Sequence, residues 1–409
     1  MPVNQSKKKV HSLKEAQELI LSNVNPLSES QEVPLLDALG RISYDDITAP
    51  IDQPPFDRSP LDGFALNHKD TKGASYDRPA ALKVAQCIFA GDAPTGPLAQ
   101  GEAARIMTGS MLPAGADCVI RQEEVKYDGD TVFISREVKS YDNYCFKGED
   151  LKKGDALINR GMLLNFADIG ILAGQGIEKV SVFCRPLVGL LVTGDELSPA
   201  GAPLVPGKIY DSNLAMLAAR LTSLGINVKI APSEGDTPED LARAVDSLME
   251  SCDMVITTGG VSVGQKDCMP KIPNLIGAEL LFHGLSMKPG SPALSMLKKG
   301  KVAICLSGNP FAAAATFEVL ARTAIEKMCG RKDYMPVRLK ATAKNGFSKS
   351  SRAQRLIRAR IEGTDVFIPE EGHSSGSLSA FSKCNCLVDI PAGSPPVSPG
   401  TPVEVILLY

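Results

Sequence analysis

The stretch ITTGGVSVGQKD, Ile256 to Asp267, joins the end of an apolar run to three glycines and a closing acid. The run Met254-Val255-Ile256 predicts a buried strand, and the adjacent glycines predict a tight turn directly after it. Such a turn lets backbone N–H groups approach a phosphate closely, because no side chain stands in the way. The stretch lacks the lysine that completes the usual phosphate-binding loop, so we expect another cation to balance the charge.

Four apolar runs between residues 186 and 310 share this form, each leading into Gly or Asp: PLVGLLVTGDEL, INVKIAPSEGD, DMVITTGGVSVG and KVAICLSGNP. Helical segments separate or follow them, and this alternation predicts a parallel, doubly wound α/β sheet. Ligands of such sheets bind beyond the carboxyl ends of the strands. We therefore expect three loops to share one edge: Thr193 to Glu196, Thr258 to Gly264 and Ser307 to Pro310.

The rest of the chain predicts helices and β-rich blocks around this sheet. Ser12, Asn165 and Thr237 are each placed to cap the start of a helix. From about residue 50 to 145, short alternating runs separated by Gly and Pro predict a β-rich lobe, with a hairpin at Asp128-Gly129. Beyond Gly330 the pattern returns to strands. The predicted fold class is therefore α/β plus all-β domains.

Composition and charge exclude several classes of protein. The chain has 409 residues, 44% of them hydrophobic, with a formal net charge of -3, which supplies no basic field for nucleic acid. No apolar run approaches a membrane span, and the N-terminus lacks the apolar core of a signal peptide, so a cytoplasmic protein is expected. The ten cysteines include no C-x-x-C pair. We interpret them as buried, reduced thiols, with a metal or redox site as the alternative for Cys384 and Cys386.

Acidic residues cluster at the predicted edge of the sheet. Glu196 follows one strand directly after Asp195, and Asp267 closes the glycine stretch. Carboxylates repel a phosphate unless a cation lies between them, and Mg²⁺ typically bridges one or two carboxylates to phosphate oxygens. We therefore hypothesise a magnesium site at Glu196, Asp236 and Asp267, with helix capping or loop solvation as the alternative for each acid, above all for Asp236. Lys288 in MKPGSP is the nearby cation.

The motifs TGDEL, IYDSN, TGGVSVG, MKPGSP and SGNP, in this order, resemble the molybdopterin molybdotransferase family of the MoeA and gephyrin E-domain type. The blocks PPFDRSPLDGFAL, IMTGSMLPAGADCVIRQE, KGEDL and GHSSGSLSAF are also similar to that family, so the likeness extends over nearly the whole chain. The resemblance implies an enzyme that takes adenylylated molybdopterin and releases AMP with Mg²⁺ present. It would insert molybdate to give molybdenum cofactor.

The resemblance also implies a four-part chain in an elongated homodimer. The expected parts are a linking and dimerisation domain (1–49 and 146–184), a β-rich lobe (50–145), an α/β molybdopterin-binding domain (185–330) and a C-terminal β-barrel-like domain (331–409). In such a dimer, the active cleft lies between the α/β domain of one subunit and the β-rich lobe of the other.

The loops and the matching motifs together assign roles to individual residues. The resemblance implies that the catalytic residues are Asp62, Asp150, Lys288 and Arg355. The residues expected to bind substrate are Thr108, Thr193, Gly194, Gly259, Gly260, Ser262, Gly264, Gly308, Asn309, Pro310 and Ser377. Arg355 and Ser377 would reach from the C-terminal domain toward the oxyanion. Asp62, Thr108 and Asp150 would come from the lobe, and the structural alternatives for them are a turn, a strand hydroxyl and a solvated loop acid.

Two positions depart from the family pattern. Ser291 stands where many members carry a second lysine, and Phe311-Ala312 follows Pro310 where a serine is often found. Family members bind molybdate at these positions, and an anion is held there by charge-assisted hydrogen bonds. Two alternatives therefore stay open: a variant that inserts tungstate, and a molybdopterin-binding scaffold without turnover. An NAD-linked oxidoreductase is less favoured, because the chain has no dinucleotide fingerprint.

Overall fold

The computed structural model describes residues 10–231, 235, 237–262, 264, 267–350 and 352–408. Its α-helices are α1 (Leu13–Ser22), α2 (Phe166–Gly174), α3 (Ser212–Ser223), α4 (Pro238–Ser251), α5 (Ile272–Ile276), α6 (Pro310–Thr316) and α7 (Arg322–Met328). Short 3₁₀ helices span Leu35–Ala38, His68–Thr71, Gln122–Glu124, Met269–Lys271 and Phe381–Lys383, and a π-helical segment, Phe317–Ala321, joins α6 to α7.

The first ten strands are β1 (Ser30–Pro34), β2 (Ile47–Thr48), β3 (Gly63–Leu66), β4 (Ala80–Ile88), β5 (Glu102–Ile106), β6 (Cys118–Arg121), β7 (Val125–Asp128), β8 (Thr131–Ile134), β9 (Ala156–Ile158) and β10 (Lys179–Phe183). The later strands are β11 (Leu187–Val192), β12 (Leu197–Ser198), β13 (Ile209–Tyr210), β14 (Asn227–Ile230), β15 (Met254–Thr258), β16 (Glu279–His283), β17 (Met287–Lys288), β18 (Leu294–Lys298), β19 (Lys301–Leu306), β20 (Arg338–Ala343), β21 (Gln354–Glu362), β22 (Asp365–Phe367), β23 (Cys386–Ile390) and β24 (Pro402–Leu407). The chain divides into two compact units, one of Met1–Gln31 and Val182–Tyr409, called the α/β-barrel unit here, and one of Glu32–Ser181, called the lobe unit.

The lobe unit is built on a sheet of strand order β6-β3-β5-β4-β8-β7. The predicted hairpin is confirmed, since β7 and β8 pair antiparallel with Asp128 opposite Thr131. Apolar side chains such as Phe64, Leu66 and Ile120 alternate into its core. Helix α2 begins where the sequence predicted, because the Asn165 side chain accepts hydrogen bonds from the N–H groups of Ala167 and Asp168.

The α/β-barrel unit contains the predicted doubly wound sheet, of strand order β14-β11-β15-β19-β18-β16. The four predicted strands β14, β11, β15 and β19 run parallel. The sheet is not purely parallel, as the sequence had suggested, because β18 and β16 add an antiparallel extension at one side. Strands β18 and β19 are joined through Lys299 and Gly300, which is too short for a helical crossover, so they must pair antiparallel.

Helices cover both faces of this sheet, since successive strand residues alternate between two cores. Leu190 and Ile256 face a core that includes α1, α3, α6 and α7. Leu191 and Val255 face a second core formed with α4 and α5. Helix α4 begins at Pro238 after Thr237, whose side chain accepts a hydrogen bond from the N–H of Asp240. Burial on both faces explains why the central strands β11, β15 and β19 are continuous apolar runs, whereas the edge strand β14 is mostly exposed.

The C-terminal strands close into the barrel that the sequence predicted in outline. The order β21-β22-β20-β24-β23 returns to β21 through an additional pairing with β23. Strand β17 lies between β16 and β18 in the sequence but belongs to the barrel sheet. It pairs in parallel with β21, which places Lys288 opposite Arg355. This pairing brings two predicted catalytic cations together from positions 67 residues apart (355 − 288).

The prediction of buried cysteines is confirmed for Cys118, Cys252, Cys268, Cys305, Cys384 and Cys386, whereas Cys145, Cys184 and Cys329 are half-buried. It is wrong for Cys87, which is exposed. Cys87 lies on the outward face of β4, where exposed and less exposed positions alternate. Cys384 and Cys386 are both buried, and desolvation raises the pKa of the Cys386 thiol to about 12. The two thiols therefore fit the packing interpretation. No helix among the described residues has the length and apolarity needed to span a membrane.

Candidate active site

Three loops lie side by side at the carboxyl edge of the α/β sheet. Val192 at the end of β11 is in register with Thr258 at the end of β15, which is in register with Leu306 at the end of β19. The loops that follow these strands therefore start next to one another, as the sequence predicted. The carboxyl edge of a parallel sheet is where α/β proteins bind their ligands.

Two glycines are required by the close packing of this edge. Gly259 has a φ of 98°, and a Cβ atom there would lie 2.2 Å from the carbonyl oxygen of Thr193 in the neighbouring loop. Gly290 has a φ of 96°, and a Cβ atom there would lie 2.1 Å from Cγ2 of Thr316. A side chain at Gly259 would push two backbone segments apart, and one at Gly290 would displace the side chain of Thr316.

A large cavity of about 920 Å³ opens over these loops. Ten of the predicted site residues line it: Thr193, Gly194, Glu196, Gly259, Gly260, Ser262, Asp267, Gly308, Asn309 and Pro310. Gly264 is not among the lining residues, but its N–H donates to Oδ2 of Asp267 at 2.7 Å. Asp236 lies outside the described residues. The predicted glycine loops therefore form the walls of one cavity.

Carboxylates give the large cavity its charge. Asp195 and Asp211 line it together with Glu196 and Asp267, and none of the described lining residues is Lys or Arg. Asp211 also caps helix α3, because its Oδ1 accepts from the N–H of Leu214 at 2.9 Å. The described residues contain no group of three or more His, Cys, Asp or Glu side chains arranged to hold a metal ion. A divalent ion here would therefore need ligand oxygens from a substrate or water.

Asn213 is a site residue that the sequence reasoning did not single out. It is 6% exposed and lines the large cavity. Its Nδ2 donates to Oγ1 of Thr258 and to the carbonyl oxygen of Gly308, both at 2.8 Å, which ties two of the loops together. Its Oδ1 is buried without a hydrogen-bond partner. The signal was present, since Asn213 ends the IYDSN motif next to the cap of α3.

A smaller cavity of about 310 Å³ adjoins the large one and shares Pro292, Ser307 and Asn309 with it. Lys288 and Arg355, both predicted, line this small cavity. It is also lined by the two departures from the family pattern, Ser291 and Ala312, and by three residues that the sequence reasoning missed: Arg358, His373 and Ser375. None of its described lining residues is Asp or Glu. The small cavity is therefore cationic where the large one is acidic.

Aromatic rings position the cations of the small cavity. The guanidinium carbon of Arg358 lies 3.6 Å from the ring centroid of Phe311, and that of Arg355 lies 5.4 Å from the centroid of Phe347. Burial lowers the pKa of Arg358 to about 10, so its side chain still carries a positive charge at neutral pH. Burial also lowers the pKa of His373, whose ring packs edge-on against Phe347.

Ser377 does not line either cavity. Its main-chain carbonyl accepts a hydrogen bond from Nη1 of Arg358, and the carbonyl of Ser374 accepts from Nη2 at 2.7 Å. The serine of this segment that reaches the small cavity is Ser375, whose carbonyl also accepts from the N–H of Phe311 at 2.9 Å. The loop is thus attached to the cavity wall through Arg358 and Phe311.

The lobe unit carries the other three predicted residues. The N–H and the Oγ1 of Thr108 both donate to Oδ1 of Asp62, each at 2.7 Å. These two bonds lower the pKa of the Asp62 carboxyl. Asp150 is exposed in a loop, and its N–H donates to the carbonyl of Gln53 at 3.0 Å. The structure thus brings Asp62 and Thr108 into direct contact within the lobe.

Known proteins match this chain over most of its length. Three family models match: the "MoeA N-terminal region (domain I and II)" over residues 11–176, the "Probable molybdopterin binding domain" over 189–327 and the "MoeA C-terminal region (domain IV)" over 340–408. A molybdopterin molybdenumtransferase of Staphylococcus aureus is 37% identical over 378 residues, which cover 92% of this chain and 90% of the relative. The chain belongs to the MoeA family. It is a transferase of molybdenum cofactor biosynthesis.

Other relatives of this MoeA-family chain agree in sequence and in fold. A molybdopterin molybdenumtransferase of Staphylococcus epidermidis is 36% identical over 374 residues, covering 91% of this chain and 89% of the relative. The crystal structure of a MoeA protein from Pyrococcus horikoshii superimposes with a TM-score of 0.85 at 30% identity, covering 98% of this chain and 100% of that one. The fold class predicted from the sequence is therefore confirmed.

Proposed function

We propose that this MoeA-family transferase inserts molybdate into adenylylated molybdopterin and releases AMP, with Mg²⁺ bound at the phosphates. The observation that carries the proposal is the junction of two oppositely charged cavities, which share the wall formed by Pro292, Ser307 and Asn309. A reaction that joins a phosphorylated organic substrate to an oxyanion needs the two reactants held side by side, which adjoining cavities allow. The names of the relatives support molybdopterin and molybdenum as the two partners.

The large cavity fits the organic substrate in size and in hydrogen-bonding groups. Its volume of about 920 Å³ is within the range of cofactor pockets, about 300–1,000 Å³. The glycines that line it expose backbone to a phosphate, and Gly259 cannot be replaced without moving a neighbouring loop. The unpartnered Oδ1 of Asn213 is placed to accept an N–H from a pterin ring.

The acids of the large cavity support a role for Mg²⁺. Glu196 and Asp267 would hold the ion, and Asp236, outside the described residues, remains a proposed third ligand. Two carboxylates on one cavity are sufficient when phosphate oxygens and water complete the coordination. When bound, the ion would neutralise the phosphate charge that builds up as AMP departs. Gly264 orients Asp267 by donating to its Oδ2, which leaves Oδ1 for the ion.

The small cavity supports binding of the oxyanion. Lys288 and Arg355 supply fixed positive charge next to the shared wall, and no described acid lines the cavity to oppose it. Charge-assisted hydrogen bonds from these side chains would hold the oxyanion beside the substrate. Molybdate and tungstate are both tetrahedral dianions, so we expect the cavity to accept either. Ser377 would act through the loop carbonyls that Arg358 holds, rather than by direct contact.

The lobe residues would act in a homodimer. Leu36, Leu39 and Phe166 are exposed apolar side chains of the lobe unit, with exposed fractions of 81%, 56% and 83%. Leu36 lies on the 3₁₀ helix Leu35–Ala38 and Leu39 directly follows it. Phe166 begins α2, which packs against that helix. Large exposed apolar side chains on elements that pack together are typical of a subunit interface. In the proposed dimer, Asp62, Thr108 and Asp150 of one subunit serve the cavities of the other, and the reaction takes place in the cytoplasm.

The direct test is to incubate purified protein with adenylylated molybdopterin, Mg²⁺ and molybdate, and to quantify AMP by chromatography. We expect AMP release to require Mg²⁺ and to increase with molybdate. One control omits each component in turn. A second control is the Asp365→Asn variant, which alters a carboxylate of the barrel outside both cavities. Binding of the substrate without any AMP release would instead favour the scaffold and contradict the proposal.

A further inference from the structure

We propose that Arg358 is a further fixed cation of the oxyanion site, beside Lys288 and Arg355, and replaces the lysine that is missing at position 291. The inference rests on the proposed function of the small cavity. Ser291 and Arg358 line that same cavity although they lie on different segments of the chain. The positive charge would therefore have moved from the MKPGSP loop to strand β21 without leaving the site.

Arg358 is unusually deeply placed for an arginine. It is 1% exposed and is among the largest fully buried side chains of the described residues. Its guanidinium carbon lies 3.6 Å from the ring centroid of Phe311, and the group donates to the carbonyl oxygens of Ser374 and Ser377. These contacts fix the group in one orientation at the cavity wall, which is how a binding site pre-organises a cation for an anion.

Arg358 has an unused hydrogen-bond donor, and its positive charge is not balanced by a carboxylate of the described residues. Its Nε is buried without an acceptor, and the Nε of Arg355 in the same cavity is also buried without one. Within the described part of the chain, no carboxylate forms an ion pair with Arg358, and burial lowers its pKa. A buried cation without an anionic partner is costly to a fold. Both arginines line the small cavity, and an anion bound there would balance their charge.

The two residues that depart from the family pattern, Ser291 and Ala312, cannot supply the missing charge or hydrogen-bond donor. The hydroxyl of Ser291 donates to the carbonyl of Met287 at 2.7 Å, so its proton is already engaged. Ala312 has no polar group. Of the cavity residues contributed by the barrel, Arg358 is the cation fixed by the most contacts, namely one ring and two carbonyls. Binding of the oxyanion through positive charge therefore depends on Arg358, together with Lys288 and Arg355.

The competing interpretation is structural: Arg358 could serve only to attach the loop of Ser374 and Ser377 to the barrel. Calorimetric titration of molybdate into the intact protein, without pterin, separates the two roles. We expect Arg358→Gln to weaken molybdate binding by about tenfold to a hundredfold, the usual effect of losing one charge-assisted hydrogen bond. Arg360→Gln, on the same strand but exposed and paired with Glu362, is the matched control and should bind as the unaltered protein does.

The decisive variant is Arg358→Gln combined with Ser291→Lys, which returns the charge to the family position. We expect this double variant to recover at least most of the lost affinity. If Arg358→Gln binds molybdate within twofold of the unaltered protein, or the double variant binds no better than the single one, the proposal is wrong. Should Arg358→Gln not fold, Arg358→Lys keeps the charge but loses the planar stacking, and an unchanged affinity there also refutes the proposed role of the fixed guanidinium group.

These outcomes differ from failure of the proposed function. If Arg358 has no role, the unaltered protein still binds molybdate and still releases AMP. If the proposed function is wrong, the unaltered protein itself neither binds molybdate nor releases AMP in response to it, and the inference about Arg358 is then refuted as well.

Discussion

Replacing Gly259 by alanine tests whether the two loops over the sheet must touch. A Cβ atom at this position would lie 2.2 Å from the carbonyl oxygen of Thr193 and 2.8 Å from its Oγ1. The positive φ of 98° adds backbone strain of about 1–2 kcal/mol for a residue with a side chain. Overpacking adds about 1–3 kcal/mol, because the obstacle is backbone that cannot rotate away. We therefore expect a total loss of roughly 2–5 kcal/mol.

The matched control is Gly300→Ala, in the turn between β18 and β19. Gly300 also has a positive φ, 76°, but a Cβ atom there meets nothing within 4 Å, so only the backbone term applies. At about 2–4 °C per kcal/mol for a unit of this size, Gly259→Ala should lower the melting temperature by roughly 4–20 °C and the control by roughly 2–8 °C. A displacement on the order of 1 Å should also reduce AMP release about a hundredfold in Gly259→Ala alone. Equal melting temperatures together with equal AMP release in the two variants would refute the proposed contact.

Three further predictions concern the metal, the dimer and the lobe. Asp267→Asn should raise the Mg²⁺ concentration needed for half-maximal AMP release by about tenfold, since one charged ligand is lost, and an unchanged requirement would count against its assignment. Phe166→Asp should convert a dimer into monomers by sedimentation and abolish turnover, because an exposed fraction of 83% leaves its ring for a partner to cover; a dimer that persists would contradict this. Thr108→Val removes one of the two hydrogen bonds to Asp62, so the pKa of that carboxyl should rise toward its ordinary value in an NMR titration. The sign of the pH effect follows from linkage: the stabilisation that a depressed carboxyl pKa gives is present above the unfolded pKa and is lost as pH falls through the folded pKa. Because the folded pKa is higher in the variant, the variant should lose this stabilisation at a higher pH. An unshifted titration would disprove the effect.

The elements that sequence patterns predicted are those whose causes are local. Thr237 begins α4 through a hydrogen bond to a residue three positions on, and Asn165 begins α2 in the same way. The Asp128-Gly129 hairpin needs only a turn and two alternating runs. The shared edge of the three loops was also predictable, since parallel strands that are buried on both faces leave an apolar signature and end together.

The elements that escaped prediction depend on residues far apart in the chain. Cys87 is exposed because its strand turns that side outward, which the apolar letters around it do not reveal. Asn213 was overlooked because its importance comes from contacts with Thr258 and Gly308, 45 and 95 positions away. In the sequence, nothing distinguishes Arg358 from the other arginines of the same predicted strand. Its burial against Phe311 appears only when the barrel and the α/β sheet are packed together.

The sequence by itself determined the order of strands and helices, the glycine turns and the family likeness, because short-range sterics, hydrogen bonding and apolar periodicity act between near neighbours. The tertiary structure alone decided how charge is distributed in the site. It separated the acids of Glu196 and Asp267 from the cations of Lys288 and Arg355 into adjoining cavities, and it added Arg358 to the second. The physical reason is that charge acts through space, so its effect depends on which side chains folding brings to a common wall.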